Sequence, residues 1–349
     1  SSNGGLTAGR ANSNKAVFPY ETEDMLHQCH DFTGPRTSLW IKRDGDDAIR
    51  WEPFRESAKD SFEISRNLYK SELGNVLIYE EINHDLNMSF RYGWCFSDRF
   101  GIVRDAVIAN AGDSTVEVRL MDGLLNILPA GLTPQVTQQR HCLADAYKHN
   151  EVDVETGLGM YSLSSMILDR PEPGESLYAT TVWSTGLPDP KVILDPSQIS
   201  AFRQNGEMRS DTLFKGRKGA YLLSANLRLE PGQTHGWKIV ADAMQTQCQV
   251  DRTRQFLLTE ADPSKTLADD CRQGAMNLRQ NLASADGIQQ SGSVTMNAHH
   301  LANVLFNNMR GGVFDHNYDV GRDDLAEFIQ SRNRQVAERC NGFLGGLPD

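Results

Sequence analysis

Four residues capable of acid–base chemistry, Glu80, Glu81, His84 and Asp85, lie just ahead of Phe90, Tyr92 and Trp94. Carboxylates, an imidazole and flat rings are what a sugar-processing site needs. A glycosidase works with two carboxylates facing each other across the scissile bond, and the C–H faces of a pyranose stack on aromatic rings. The spacing speaks against the first. Neighbouring side chains on an extended segment point to opposite faces, so Glu80 and Glu81 diverge, as do His84 and Asp85. They read as the polar entry to a strand. His84 stays only as a weak catalytic alternative.

The residues that follow show why the segment is extended. Met88, Phe90, Tyr92, Trp94 and Phe96 fall on one face, and Ser89, Arg91, Gly93, Cys95 and Ser97 on the other. That is the period of two expected of a strand. The aromatic row is read first as the inward face of a sandwich, with a sugar-stacking surface as its alternative. Asp98 and Arg99 follow at the strand end, where they either bond sugar hydroxyls or pair within a turn. Trp94, Asp98 and Arg99 are therefore the carbohydrate-contact candidates.

Other constellations carry less. His299 and His300 are neighbours on a helical pattern and diverge by about 100°, so they do not make a paired metal ligand. Cys29 and His30 near His27 lack a second pair. Gly311-Gly312 reads as a helix C-cap, because no Lys-Ser/Thr follows it. No nucleophile elbow is present, and Ser164-Ser165 is expected mid-strand. No metal and no cofactor are expected.

The bulk composition sets the frame. The chain has 349 residues, 39% hydrophobic and 23% charged, with a formal net charge of −11. These are values of a soluble globular protein. The acidic balance argues against nucleic-acid or anionic-membrane partners, and no apolar run is long enough for a membrane-spanning helix. Six cysteines at long spacings read as reduced thiols, so a cytoplasmic location is expected. The opening Ser-Ser-Asn-Gly-Gly, without an initiator Met, suggests a piece of a longer protein.

Three regions are expected. Residues 1–19, rich in Ser, Asn, Gly and Ala, read as a flexible arm. Residues 20–258 carry strand after strand, with turns at Asp44-Gly45, Ala111-Gly112-Asp113 and Glu230-Pro231-Gly232-Gln233. Residues 259–349 switch to helical spacing in three segments, 262–283, 297–310 and 322–344. So many strands exceed what one sheet can bury, which implies a large two-sheet sandwich or a barrel. The fold class is mainly β, followed by a helical linker segment.

This grammar, with "NHDLNMSFRYGWCFSDRFGIVRDAVIAN", "VRLMDGLLNILPAG" and "HHLANVLFNNMRGGVFDHNY", resembles the amino-terminal part of cellobiose-phosphorylase-like enzymes, glycoside hydrolase family 94. The resemblance covers about residues 70–345 and implies a galactose mutarotase-like antiparallel super-sandwich followed by helical linkers. In that family the general acid belongs to a carboxy-terminal helical barrel, which would be absent from this chain. It implies a non-catalytic, carbohydrate-associated domain that packs on the barrel, shapes its active-site rim or forms a homodimer, with an oligosaccharide as ligand. Asn83-His84 is similar to the first half of the aldose epimerase signature, although "DLNMSF" replaces the aromatic pattern that follows there. A free-standing carbohydrate-binding protein or epimerase is the alternative.

Overall fold

The computed structural model describes residues 15–43, 45–139, 141–167, 174–310 and 320–347. Two compact units divide at Cys271 and Arg272. The first opens with helix α1 (Glu23–Cys29), strands β1 (Gly34–Arg43) and β2 (Ile49–Trp51), and the single turn α2 (Ala58–Ser61). Five strands follow: β3 (Ile64–Lys70), β4 (Leu77–Asn83), β5 (Met88–Ser97), β6 (Gly101–Asn110) and β7 (Val116–Leu125). Helices α3 (Pro134–Gln139) and α4 (His141–Ala146) lead to β8 (Lys148–Val152), β9 (Gly159–Leu163), β10 (Tyr178–Thr185) and β11 (Lys191–Ile193). After α5 (Gln198–Asn205) come β12 (Leu213–Lys215), β13 (Ala220–Leu229), β14 (Thr234–Thr246) and α6 (Gln247–Thr259).

These strands form two antiparallel sheets. One has five strands in the order β11-β13-β7-β1-β2, the other nine in the order β12-β8-β9-β10-β14-β6-β5-β4-β3. They face each other across one apolar core. Leu39, Ile41, Val118 and Leu120 enter it from the smaller sheet, and Phe90, Tyr92, Trp94 and Trp237 from the larger. The rings interlock: Phe90 stacks on Trp237 at 6.0 Å between centroids, and Phe54 stands edge-on to Tyr92 at 5.3 Å. Burying each such side chain contributes roughly 1.5–3 kcal/mol.

Charges also lie between the sheets. Arg104 on β6 and Asp122 on β7, each fully buried, form an ion pair. Asp122 also accepts hydrogen bonds from Thr37 Oγ1 at 2.6 Å and Trp237 Nε1 at 2.7 Å. The guanidinium of Arg104 lies 4.4 Å from the centre of the Tyr92 ring. Next in sequence, Gly123 keeps β7 close to β13, because a Cβ there would sit 2.0 Å from the carbonyl oxygen of Tyr221.

The aromatic alternation along β5 is real for four of its five positions. Met88, Phe90, Tyr92 and Trp94 are buried, whereas Phe96 at the strand end is 53% exposed. The reverse turn at residues 230–233 is also present, with Gly232 at φ +74 and Gln233 N donating to Glu230 O at 3.0 Å. Of the Asp44-Gly45 turn, Gly45 adopts φ +86 and Asp44 lies outside the described residues.

Several expectations need correction. Within the stretch read as an arm, Val17 and Phe18 are buried in the core, because an apolar pair outweighs the polar composition around it. Helices are substantial and do not wait for residue 259: α6 begins at Gln247, capped by a reciprocal Thr246–Gln249 box. Strand β9 ends at Leu163, so Ser164 and Ser165 lie beyond it.

The second unit is helical. Helix α7 (Pro263–Ser284) begins in the first unit, and α8 (Val294–Met309), α9 (Arg322–Arg332) and α10 (Arg334–Leu344) follow. The expected third helical segment is two helices rather than one. Asn333 takes an extended conformation (φ −153, ψ 94), and its side chain accepts from Val336 N at 3.2 Å, capping α10. Gly311 and Gly312 lie outside the described residues. Among the described residues no helix is long and apolar enough to cross a membrane.

Candidate functional site

Asp98 and Arg99 occupy the turn between β5 and β6, and its geometry is tightly specified. Ser97 Oγ accepts from Phe100 N at 2.8 Å, while Asp270 of α7 accepts from both the Ser97 hydroxyl and, at 3.3 Å, Arg99 N. The turn ends at Gly101, φ +105, where a Cβ would sit 2.5 Å from Ala241 O. Only glycine fits so close to a neighbouring strand in that conformation.

Across from this turn β14 carries an irregularity. Its pairing with β10 shifts register between Thr181, opposite Asp242, and Ala179, opposite Gln245. One residue more is accommodated on β14 than on β10, and Met244 takes φ +57. Such bulges bend a strand and redirect its side chains, often beside functional sites. Gln245 Nε2 donates to Asp242 Oδ2 at 2.8 Å. Helix α6 then starts immediately and packs Phe256 against Phe100 and Trp183 at 4.8 and 5.9 Å.

The turn, the bulge and the helix together enclose a groove of about 920 Å³, lined among others by Asp98, Arg99, Asp242, Gln245, Gln249 and Arg252. Its lining offers both kinds of hydrogen-bonding group, since carboxylates accept, guanidiniums donate and amides do both. It is not an aromatic platform. Phe100 and Phe256 are both buried, and the Arg99 guanidinium lies 4.7 and 5.1 Å from their ring centres.

The other candidates lie elsewhere. Trp94 is 4% exposed in the core beside Phe18, and its indole N–H has no hydrogen-bond partner among the described residues. His84 sits in the exposed turn between β4 and β5, its Nε2 2.8 Å from Ser65 Oγ. Asp85 beside it accepts from Glu63 N at 2.7 Å. Glu80 and Glu81 do point apart. Glu80 accepts from Asn67 and Tyr69, whereas Glu81 is buried and accepts from Trp51 Nε1, Phe54 N and Arg66 Nε at 2.7–2.8 Å. Among the described residues no group of three or more His, Cys, Asp or Glu side chains is placed to hold a metal.

Sequence reasoning missed the β14 half of the groove. The bulge leaves one faint trace, the polar Gln245 and Thr246 that follow Ala243 and Met244.

No protein-family model and no curated protein matches the sequence. Solved structures similar to the chain include a bacterial glucoamylase complexed with acarbose, at 9% identity over 72% of this chain and 33% of that one, TM-score 0.40. A human-microbiome protein assigned as a kojibiose phosphorylase matches at 11% identity over 76% and 30%, TM-score 0.40. A polysaccharide lyase matches at 10% identity over 71% and 33%, TM-score 0.33. The chain spans about a third of the length of these proteins, and likenesses this distant establish neither a shared fold nor a shared activity.

Proposed function

We propose that this chain is a non-catalytic, carbohydrate-associated domain of mutarotase-like super-sandwich type from a glycoside phosphorylase-like or glucan-processing protein. The groove between the Asp98–Phe100 turn and the β14 bulge contacts the oligosaccharide. One observation carries the reading. The two polar candidates nominated at the strand end open into a groove whose opposite wall is a bulged, positive-φ segment bearing Asp242 and Gln245. In the whole protein the domain packs on a catalytic barrel, shaping its rim or a homodimer contact. In keeping with such packing, the helical unit leaves Met296, Phe306, Met309, Phe328 and Phe343 exposed.

Calorimetric titration with α- and β-linked gluco-oligosaccharides tests the groove. At least one series binds the full chain, and Asp98→Asn and Gln245→Ala each weaken it about tenfold, or about 1.4 kcal/mol. Absence of binding to every series, or binding indifferent to both substitutions, removes the proposal. Proton NMR of a freshly dissolved sugar anomer checks the epimerase alternative: rapid equilibration abolished by His84→Ala would replace the non-catalytic reading.

A further inference from the structure

A second cavity, of about 270 Å³, lies away from the groove. It is walled by the segment at Pro19–Glu21, the residues just after β7, helices α3 and α4, and the start of β8. Two side chains in its wall are unusual. Lys148, the first residue of β8, is 4% exposed, and its ammonium is held by Asp145 at 2.8 Å. An ammonium has three N–H groups, so among the described residues that pair leaves donor capacity unspent in a place water reaches poorly. Burial, opposed by the bond to Asp145, lowers the pKa of Lys148, and the positive charge of Lys218 lowers it further.

Asn126 is the second. It takes φ +54, is 8% exposed, and donates from Nδ2 to Thr33 Oγ1 at 3.0 Å. The other amide heteroatom has no partner among the described residues. Which of the two atoms is oxygen does not alter the point: one buried polar atom in this wall lacks a hydrogen bond. Leaving such a group unmet costs about 1–3 kcal/mol, while the left-handed backbone is one that asparagine tolerates. A buried polar group left unsatisfied in a native fold calls for an explanation, and a bound ligand is one.

Among the described residues that line the cavity the charges balance. Lys148 and Lys218 face Asp145 and Glu21, and Leu128 and Leu132 supply apolar wall. A balanced lining disfavours a strong anion or cation. It suits a molecule whose hydroxyls accept from an ammonium and donate to a carboxylate or amide oxygen while its C–H surface meets the leucines. The volume falls just below the roughly 300–1,000 Å³ usual for drug-sized ligands, which limits the occupant to about the size of a monosaccharide. We propose that this cavity is a binding site for a small neutral polyol of hexose size, held by Lys148, Asp145 and the unpartnered amide of Asn126.

The test is an NMR titration of the isotopically labelled full chain with D-glucose, D-galactose and D-mannose, with inorganic phosphate and glycine as charged comparisons. At least one hexose shifts the backbone amides of Asn126 and Lys148 saturably. Lys148→Met raises its Kd about tenfold. Asn126→Gly, which keeps the positive φ while deleting the amide, does the same, and the exposed Lys218→Ala gives a milder loss without touching the core. The proposal is overturned if no hexose shifts these amides, if Lys148→Met and Asn126→Gly leave binding unchanged, or if phosphate or glycine binds more tightly than every hexose. The groove is read separately in the same spectra from the amides of Asp98 and Gln245, so either site can fail alone.

Discussion

Arg104 and Asp122 neutralise each other across the two sheets, and neither is accessible to solvent. Breaking such a pair leaves a bare charge in a medium that solvates it poorly, at a cost of about 3–5 kcal/mol. Arg104→Met therefore destabilises the chain by that amount in urea unfolding. The double change Arg104→Met with Asp122→Leu is less damaging than the single one, since the apolar pair leaves no charge behind. Equal losses in the single and double variants would show that the Thr37 and Trp237 donors orphaned by Asp122→Leu cost as much as the bare charge.

A second network sits at the periphery and makes stability depend on acid. Glu52 accepts from Arg203 Nε at 2.6 Å and Nη2 at 3.1 Å, and Arg55 bridges Glu52 to Asp31. Burial works to raise the pKa of Glu52, but the Arg203 hydrogen bond and charge, with Arg36 and Arg55, outweigh it and leave the carboxyl below its ordinary value. The unfolded chain then takes up the proton first as pH falls. The stabilisation is complete above the unfolded value of about 4.3 and is lost as pH drops through the lowered folded value. Arg203→Met costs about 1.5–3 kcal/mol at neutral pH and flattens the decline in urea midpoint between pH 6 and pH 3.

Cys95 on β5 and Cys271 on α7 bring their sulfurs within 3.9 Å. Their shared hydrogen bond lowers the pKa of Cys95 and raises that of Cys271. Oxidised glutathione should couple them: the Cys95 thiolate attacks and expels one glutathione thiolate. Cys271 then loses its proton and displaces the second glutathione, so that one protein disulfide forms as one glutathione disulfide is reduced. Peptide mapping under non-reducing conditions shows a Cys95–Cys271 link. Glutathione adducts confined to the exposed Cys142 and Cys248 would contradict it.

The β14 bulge makes its own forecast. Met244 at φ +57 is strained as any residue other than glycine, asparagine or aspartate is. Met244→Gly leaves stability unchanged or improves it by up to about 1 kcal/mol. Met244→Val, β-branched at a positive φ, loses about 1–3 kcal/mol and weakens the oligosaccharide binding proposed for the groove. Thermal unfolding of the two variants side by side decides it.

Some of this architecture was legible in the residues and some was not, for physical reasons. Period-two alternation marked β5, and Pro-Gly chemistry marked the β13–β14 turn, because both signals are local. Asp98 and Arg99 were nominated from their place at a strand end. The wall that faces them is far away in sequence, and a bulge carries no residue code of its own. Arg104 and Asp122 carry no local mark in the sequence. Only the pairing of two sheets, a long-range fact, buries them. The break at Asn333 was hidden because the apolar spacing continues almost undisturbed through it.

The strand order also determines where a second chain can lengthen these sheets. The five-stranded sheet ends in β2 and β11 and the nine-stranded sheet in β12, each only three residues long. Stubs of that length offer little backbone to a passing strand. The remaining edge is β3, seven residues long, with Leu68 and Tyr69 exposed and Lys70 at its end. Protection against edge-to-edge aggregation therefore rests on β3. A proline placed at an outward-facing amide there would leave the interior untouched and close the longest edge among the described residues.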